Sequence, residues 1–190
     1  MSSRVGVARL HRLMFGRRSS MLVTAPVIAA LWVGICLGQI YQGPSGGYHG
    51  KPFDDWAASA GRTDLTELYL AQDGSGKILC FGAGYGRNTP NHKVYLHGGS
   101  CNKAALTYSF APDEYVVGIS GRFGSRVDSM QIYTNHVTQP YAGDKGGPAV
   151  FGYSAPHGQM IVAFTGRSDG ELDAIGVMYA PCTPQKNPCH

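Results

Sequence analysis

The chain has 190 residues, 16 Lys and Arg against 12 Asp and Glu, and a formal charge of +4, which is one domain's length with a short extension. Five of the arginines fall in the first 18 residues, where there is no carboxylate; removing those five from +4 leaves −1 on everything that follows. The basic excess therefore belongs to the leader, and no stretch beyond it interleaves Lys or Arg with aromatics, so nucleic acid is excluded as a partner.

In chain order, Arg4, Arg9, Arg12, Arg17 and Arg18 precede an uncharged apolar run that reaches Cys36-Leu37-Gly38. Residues 1–38 read either as a signal peptide cut after Gly38 or as a signal anchor. Both put the remainder across the membrane. The expected localisation is secreted, or a single-pass type II membrane protein with an extracytoplasmic domain, and any membrane contact runs through an uncleaved anchor. Setting Cys36 aside leaves Cys80, Cys101, Cys182 and Cys189. An even count in an exported domain reads as two disulfides. Cys182 and Cys189 would close a local loop in a tail of residues 181–190, leaving Cys80 with Cys101. Asn88-Thr89-Pro90 lacks the hydroxyl residue of a glycosylation sequon.

The segment from Trp56 to Ala60 has a helical pattern that Gly61 ends. Strand patterns dominate elsewhere. Leu65 to Leu70 and Met130 to Tyr133 alternate apolar with polar residues, while Tyr115 to Ile119 and Met160 to Phe164 are apolar runs bounded by glycine or proline. Many short strands with glycine at the junctions predict an all-β fold. Three times a glycine-rich loop leads into a short apolar strand and a turn. Two of these turns end in aspartates 45 positions apart, Asp128 and Asp173, a spacing typical of a repeated supersecondary unit. The corresponding turn Asp73-Gly74-Ser75-Gly76-Lys77 aligns a lysine with the two aspartates.

Gly43-Pro44-Ser45-Gly46-Gly47-Tyr48-His49-Gly50-Lys51-Pro52-Phe53-Asp54-Asp55 resembles the opening of a jacalin-related lectin. The likeness continues through Leu96-His97-Gly98-Gly99-Ser100, Glu114 to Gly121, Ile132 to Asn135, and Phe164-Thr165-Gly166-Arg167-Ser168 running into Leu172-Asp173-Ala174-Ile175-Gly176. The resemblance implies a β-prism I fold of three four-stranded Greek-key sheets with pseudo-threefold symmetry over residues 39–180. It also implies sugar sites without metal or cofactor, each made by a Gly-x-x-x-Asp turn facing a glycine-rich loop. Carried onto this chain, Gly170, Glu171, Leu172 and Asp173 face the loop of Gly50, and Ser125, Arg126, Val127 and Asp128 face the loop of Gly146 and Gly147. Lys77 would face Gly98 to Asn102, a site that has lost its acceptor. His49 and Asp169 depart from the family pattern, each standing where a glycine is usual.

The chemistry suits these residue types. A carboxylate can accept from two sugar hydroxyls at once, and glycine lets the backbone approach a ligand closely. One aspartate per turn supplies too few oxygens for calcium. His92 and His97 have no third ligand nearby in sequence, and Gly82-Ala83-Gly84-Tyr85-Gly86 is not followed by the helix a dinucleotide site needs. No His-Glu-x-x-His is present and the histidines are dispersed, so an enzyme is not expected. Among family members, galactose preference needs a free amino terminus at the position of Gly50. Here the chain runs on through His49, favouring mannose- or glucose-type glycans, with Glu171 beside the pocket acting against acidic sugars. The alternative is a β-prism that serves protein interaction or structure without binding sugar; oligomerisation stays open.

Overall fold

A computed structural model describes residues 40–101, 106–138, 142–144 and 146–183. The leader, the proposed boundary at Gly38 and the tail cysteine Cys189 lie outside them. The described chain is nearly all β, with antiparallel pairing throughout.

Three central hairpins organise it. They are β3 (Leu65–Gln72) with β4 (Ile78–Tyr85), β7 (Val116–Phe123) with β8 (Val127–Thr134), and β11 (Gln159–Ser168) with β12 (Leu172–Pro181). Each hairpin is flanked by two outer strands that are consecutive in the chain. β5 (Lys93–Gly98) pairs with β4 and β6 (Leu106–Ser109) with β3. β9 (Ala142–Gly143) pairs with β8 and β10 (Ala149–Ser154) with β7. The third pair comes from the start of the chain: β1 (Ile40–Gly46) lies on β12 and β2 (Lys51–Asp54) on β11. This gives three four-stranded Greek-key units, as the resemblance implies. Two of them join edge to edge through one pairing, Ile161 with Val116.

The apolar faces of all three units meet in one core. Leu68 and Phe81, Ile119 and Ile132, and Phe164 and Ile175 each come from a different hairpin and are at most 1% exposed. Burying side chains of this size contributes roughly 1.5–3 kcal/mol apiece. Phe81 and Phe164 meet edge to face with centroids 4.7 Å apart, tying two sheets together. A smaller cluster of Met160, Val162, Met178 and their neighbours covers the other face of β11 and β12. Both faces of that hairpin are thus buried, which is why Met160 to Phe164 reads as an unbroken apolar run rather than an alternating one.

Helix α1 (Asp55–Ala58) supplies part of that cover. Its N-cap Asp54 accepts from the Ala57 amide at 3.1 Å, and the Gly61 amide closes its end on the Trp56 carbonyl at 2.9 Å. Trp56 packs on the smaller cluster. Asp55 is fully buried; its Oδ1 pairs with His97 Nε2 at 2.7 Å, and His97 stacks on Phe53. Burial pushes the Asp55 carboxyl above its ordinary pKa, an effect that His97 opposes. This contact docks α1 and β2 onto β5.

Cys80 of β4 is bonded to Cys101, 21 positions on in sequence, with Cα atoms 5.0 Å apart. Cys182 is also disulfide-bonded; its expected partner Cys189 is outside the described residues. Closing a loop of that length restricts the unfolded chain by about 3 kcal/mol. Replacing Cys80 and Cys101 together by serine is expected to lower unfolding free energy by up to that amount, measured by denaturant titration under non-reducing conditions.

Candidate functional site

The three hairpin turns come together at one end of the prism. Register fixes their equivalence. Leu172 pairs with Ser168 across Asp169–Glu171, Val127 with Phe123 across Gly124–Arg126, and Ile78 with Gln72 across the longer Asp73–Lys77. The first residue of each turn donates its amide to the carbonyl of the last: Asp169 to Glu171 at 3.2 Å, Gly124 to Arg126 at 3.0 Å and Asp73 to Lys77 at 3.0 Å. Two residues beyond, a strand carbonyl accepts from the facing loop. Gly47 N–H bonds Asp173 O at 2.8 Å, Asp144 N–H bonds Asp128 O at 3.0 Å, and Gly99 N–H bonds Leu79 O at 3.1 Å.

This corrects one expectation from the sequence. The residue equivalent to Asp128 and Asp173 is Leu79, while Lys77 is equivalent to Arg126 and Glu171. The Asp73 turn is two residues longer than its counterparts, so counting from its glycines misplaces the register. The third position still has no carboxylate. Asp73 itself serves the turn: its Oδ1 accepts from the Ser75 hydroxyl at 2.6 Å, the Ser75 amide at 2.9 Å and the Lys77 amide at 3.0 Å. Those bonds, the Ser75 hydroxyl foremost, hold its carboxyl below the usual pKa.

Asp173 begins the buried part of β12 and is 3% exposed, yet its Oδ2 has no hydrogen-bond partner among the described residues. That oxygen faces Gly50. Gly50 has φ +67°, and a Cβ there would fall on Asp173 Oδ2 and 2.6 Å from the Ser168 carbonyl carbon. Only glycine permits this approach. Around the pair opens a pocket of about 250 Å³ lined by His49, Gly50, Lys77, Asp169, Gly170, Glu171 and Asp173. The residues grouped by sequence at this turn are therefore together, except that the Leu172 side chain is fully buried in the core, leaving only its backbone for a ligand.

The second turn repeats the arrangement. Asp128 is buried, its Oδ2 faces Gly147 at φ +79°, and a Cβ on Gly147 would lie 2.5 Å from that oxygen. Gly146 is exposed and its amide bonds Asp144 Oδ1 at 2.6 Å. Ser125 is exposed, and Val127, like Leu172, has its side chain in the core. Here the aspartate has company: Arg126 Nε stands 3.5 Å from Asp128 Oδ1. Burial raises the Asp128 pKa, Arg126 works against that rise, and Asp144 adds to it.

Arg126 Nε also stands 3.8 Å from Glu171 Oε2, the oxygen that pairs with Lys77 Nζ. The three equivalent turn residues Lys77, Arg126 and Glu171 thus form one ion cluster. Glu171 is matched by two cations, which offsets the repulsion of acidic sugars expected from its sequence position.

Two arginines had no role in the sequence reading. Arg167 donates from Nε to His49 O at 2.9 Å and from a terminal nitrogen to Gly50 O at 2.7 Å. Arg122 Nε donates to Gly146 O at 3.1 Å and Gly147 O at 3.0 Å. Each arginine lies six positions before its aspartate, so an Arg-x5-Asp pattern could have revealed both. In the third unit Ala71 holds the corresponding register opposite Cys80. Among the described residues no group of three or more His, Cys, Asp or Glu could hold a metal. His92 instead contacts the buried Glu67, and His97 contacts Asp55.

Residues 42–178 match the model of the jacalin-like lectin domain. Jacalin-related lectin 19 of Arabidopsis thaliana is 32% identical over 146 residues, covering 72% of this chain and 78% of that protein. A mannose/glucose-specific lectin of Parkia platycephala is 28% identical over 162 residues; the match takes in 77% of this chain and 33% of that longer protein. Among solved structures, the mannose-binding lectin from champedak superposes with a TM-score of 0.63 at 28% identity, covering 75% of this chain and 97% of its own. With the three Greek-key units, the repeated aspartate turns and a family match over residues 42–178, this chain belongs to the jacalin-like lectin domain family.

Proposed function

We propose that the chain is an exported lectin that binds mannose- or glucose-type glycans, without metal, at the turns of Asp173 and Asp128. The observation that carries this reading is the orphaned Oδ2 of Asp173, buried against Gly50 and opening on a pocket. A buried carboxylate oxygen left unsatisfied costs roughly 1–3 kcal/mol or more. A sugar hydroxyl supplies the missing donor. Backbone groups of the turn and the facing loop then complement the ring and its other hydroxyls. The unbroken chain through His49 and Gly50 supports mannose or glucose over galactose, in keeping with the specificities carried by the Parkia and champedak lectins' names. The Cys80–Cys101 bond fits an oxidising compartment, hence export. Its relatives are lectins, which bind sugars and do no chemistry on them.

The two sites should differ in strength. Asp173 is free to accept, whereas a ligand at Asp128 competes with Arg126. Leu79 offers no acceptor at the third turn, so that unit does not bind.

Asp173→Asn keeps the shape and removes the charge-assisted acceptor, with an expected loss of about 1.5–3 kcal/mol in binding; glycan-array or calorimetric titration with unchanged affinity refutes the site. Isothermal titration with a mannoside should give two sites per chain, falling to one in Asp128→Ala, and should be indifferent to EDTA.

Acid should silence the second site. Its raised pKa means that Asp128 takes up a proton above the normal carboxylate range as pH falls. A neutral carboxyl is a poorer acceptor, so binding there is full at neutral pH and weakens on acidification. Titration of the Asp173→Asn variant, which isolates this site, should show that midpoint above an ordinary aspartate's, and a midpoint at or below it contradicts the assignment.

A further inference from the structure

We propose that Arg167 and Arg122 are positioning residues that turn one peptide of each glycine loop toward the sugar, so that a buried aspartate and a backbone N–H act as a matched pair. This rests on the lectin reading of the two sites above.

The geometry is repeated at both places. At the Asp173 site the guanidinium takes the carbonyls of His49 and Gly50. At the Asp128 site it takes those of Gly146 and Gly147. In each case the second residue is the glycine lying against the aspartate Oδ2. Arg167 sits opposite Ala174 in the β11–β12 register and Arg122 opposite Ser129 in β7–β8, each facing the residue that immediately follows its aspartate. The two arginines are therefore structural equivalents.

A trans peptide directs its carbonyl and its N–H to opposite sides. Holding the carbonyl of His49 on Arg167 points the N–H of Gly50 away from the guanidinium, and holding that of Gly146 on Arg122 does the same for Gly147. Without the arginine this loop is an easily reoriented stretch. It contains Gly46, Gly47 and Gly50, and glycine carries the largest backbone entropy to lose on ordering. A charged, planar donor that bonds two successive carbonyls removes that freedom before the ligand arrives, which lowers the cost of binding.

The third unit supplies the contrast. It has Leu79 in place of the aspartate and Ala71 in place of the arginine, and its loop is fastened by the Cys80–Cys101 bond. An arginine needed only to hold a strand edge would have no reason to track the aspartate. A bond that holds the loop for stability alone appears where the aspartate is absent.

The test uses the full chain carrying Asp128→Ala, so that only the Asp173 site reports, titrated with methyl α-mannoside. Arg167→Met keeps much of the stem and removes every donor; it should weaken binding about tenfold, the loss of one charge-assisted hydrogen bond's effect. Arg167→Lys restores one donor and should recover part of it. Hydrogen exchange in the sugar-free protein should rise in the peptide spanning residues 46–51 of the Met variant and stay unchanged in the buried strands. Unchanged affinity in Arg167→Met overturns the proposal, as does a loss accompanied by faster exchange throughout the domain. Arg122→Met in the Asp173→Asn background, where only the Asp128 site reports, with exchange read at residues 142–149, repeats the test should the first variant not fold. If the parent protein fails to bind the mannoside, the lectin reading falls by itself, and exchange at the two loops still decides whether the arginines hold them.

Discussion

The binding end of this prism depends on one hydrogen bond made three times, from the amide of a loop residue to a carbonyl two residues beyond the hairpin turn. Gly47 reaches Asp173, Asp144 reaches Asp128, and Gly99 reaches Leu79. Each joins an outer pair of strands to a central hairpin at the point where both leave the sheet. The residue before each donor is a glycine with positive φ, Gly46, Gly143 and Gly98, because the loop backbone lies directly on the opposing strand there. The bond is backbone to backbone, so the side chain of the accepting residue is free to vary. On the proposed reading, aspartate at that position makes a ligand site, and leucine leaves the same scaffold without one.

Placing a carboxylate there is unfavourable for the fold. Asp173 and Asp128 are nearly as buried as the core residues beside them, Leu172 and Val127, and burial raises the Asp128 carboxyl above its ordinary pKa. The two sites meet this penalty differently. Asp128 has Arg126 at 3.5 Å, a partial internal counter-ion that stabilises the empty site and opposes an incoming hydroxyl. Asp173 keeps an oxygen unsatisfied. On the proposed reading, Asp173 is the stronger acceptor, because a sugar hydroxyl would satisfy an oxygen that the protein itself leaves without a hydrogen bond.

Much of this was legible in the sequence for physical reasons. Glycine at turns, two aspartates at one period and apolar runs between them are local signals that mark the strands and the two aspartate turns, while the pairing of each turn with its facing loop comes from the family resemblance. The short helix was readable from Trp56 and Gly61. The third turn was misaligned because a turn's length is set by how its ends pair. Ile78 pairs with Gln72 across five residues where the other turns have three, and nothing local to Asp73-Gly74-Ser75-Gly76-Lys77 announces the difference. Arg167 and Arg122 were overlooked for a related reason. Their partners are main-chain carbonyls more than twenty positions away, which leave no residue-type signal, and only the shared spacing to an aspartate marks them.

The ion cluster at the meeting point of the turns shows what an approximate symmetry permits. Lys77, Arg126 and Glu171 occupy equivalent positions, and in a chain with three identical repeats that point would gather three side chains of one sign. Like charges at such distances repel, and burial strengthens the repulsion. Divergence of the repeats replaces that repulsion with Lys77 and Arg126 on either side of Glu171. The turns are thereby drawn together by the residues that distinguish them. The consequence reaches both proposed sites, since Glu171 and Lys77 line the pocket of Asp173 while Arg126 leans on Asp128. Glu171 is the shared member: it holds one cation at the wall of the first site and attracts another partly away from the second. The difference between the two sites and the cohesion of the binding end therefore have the same physical source.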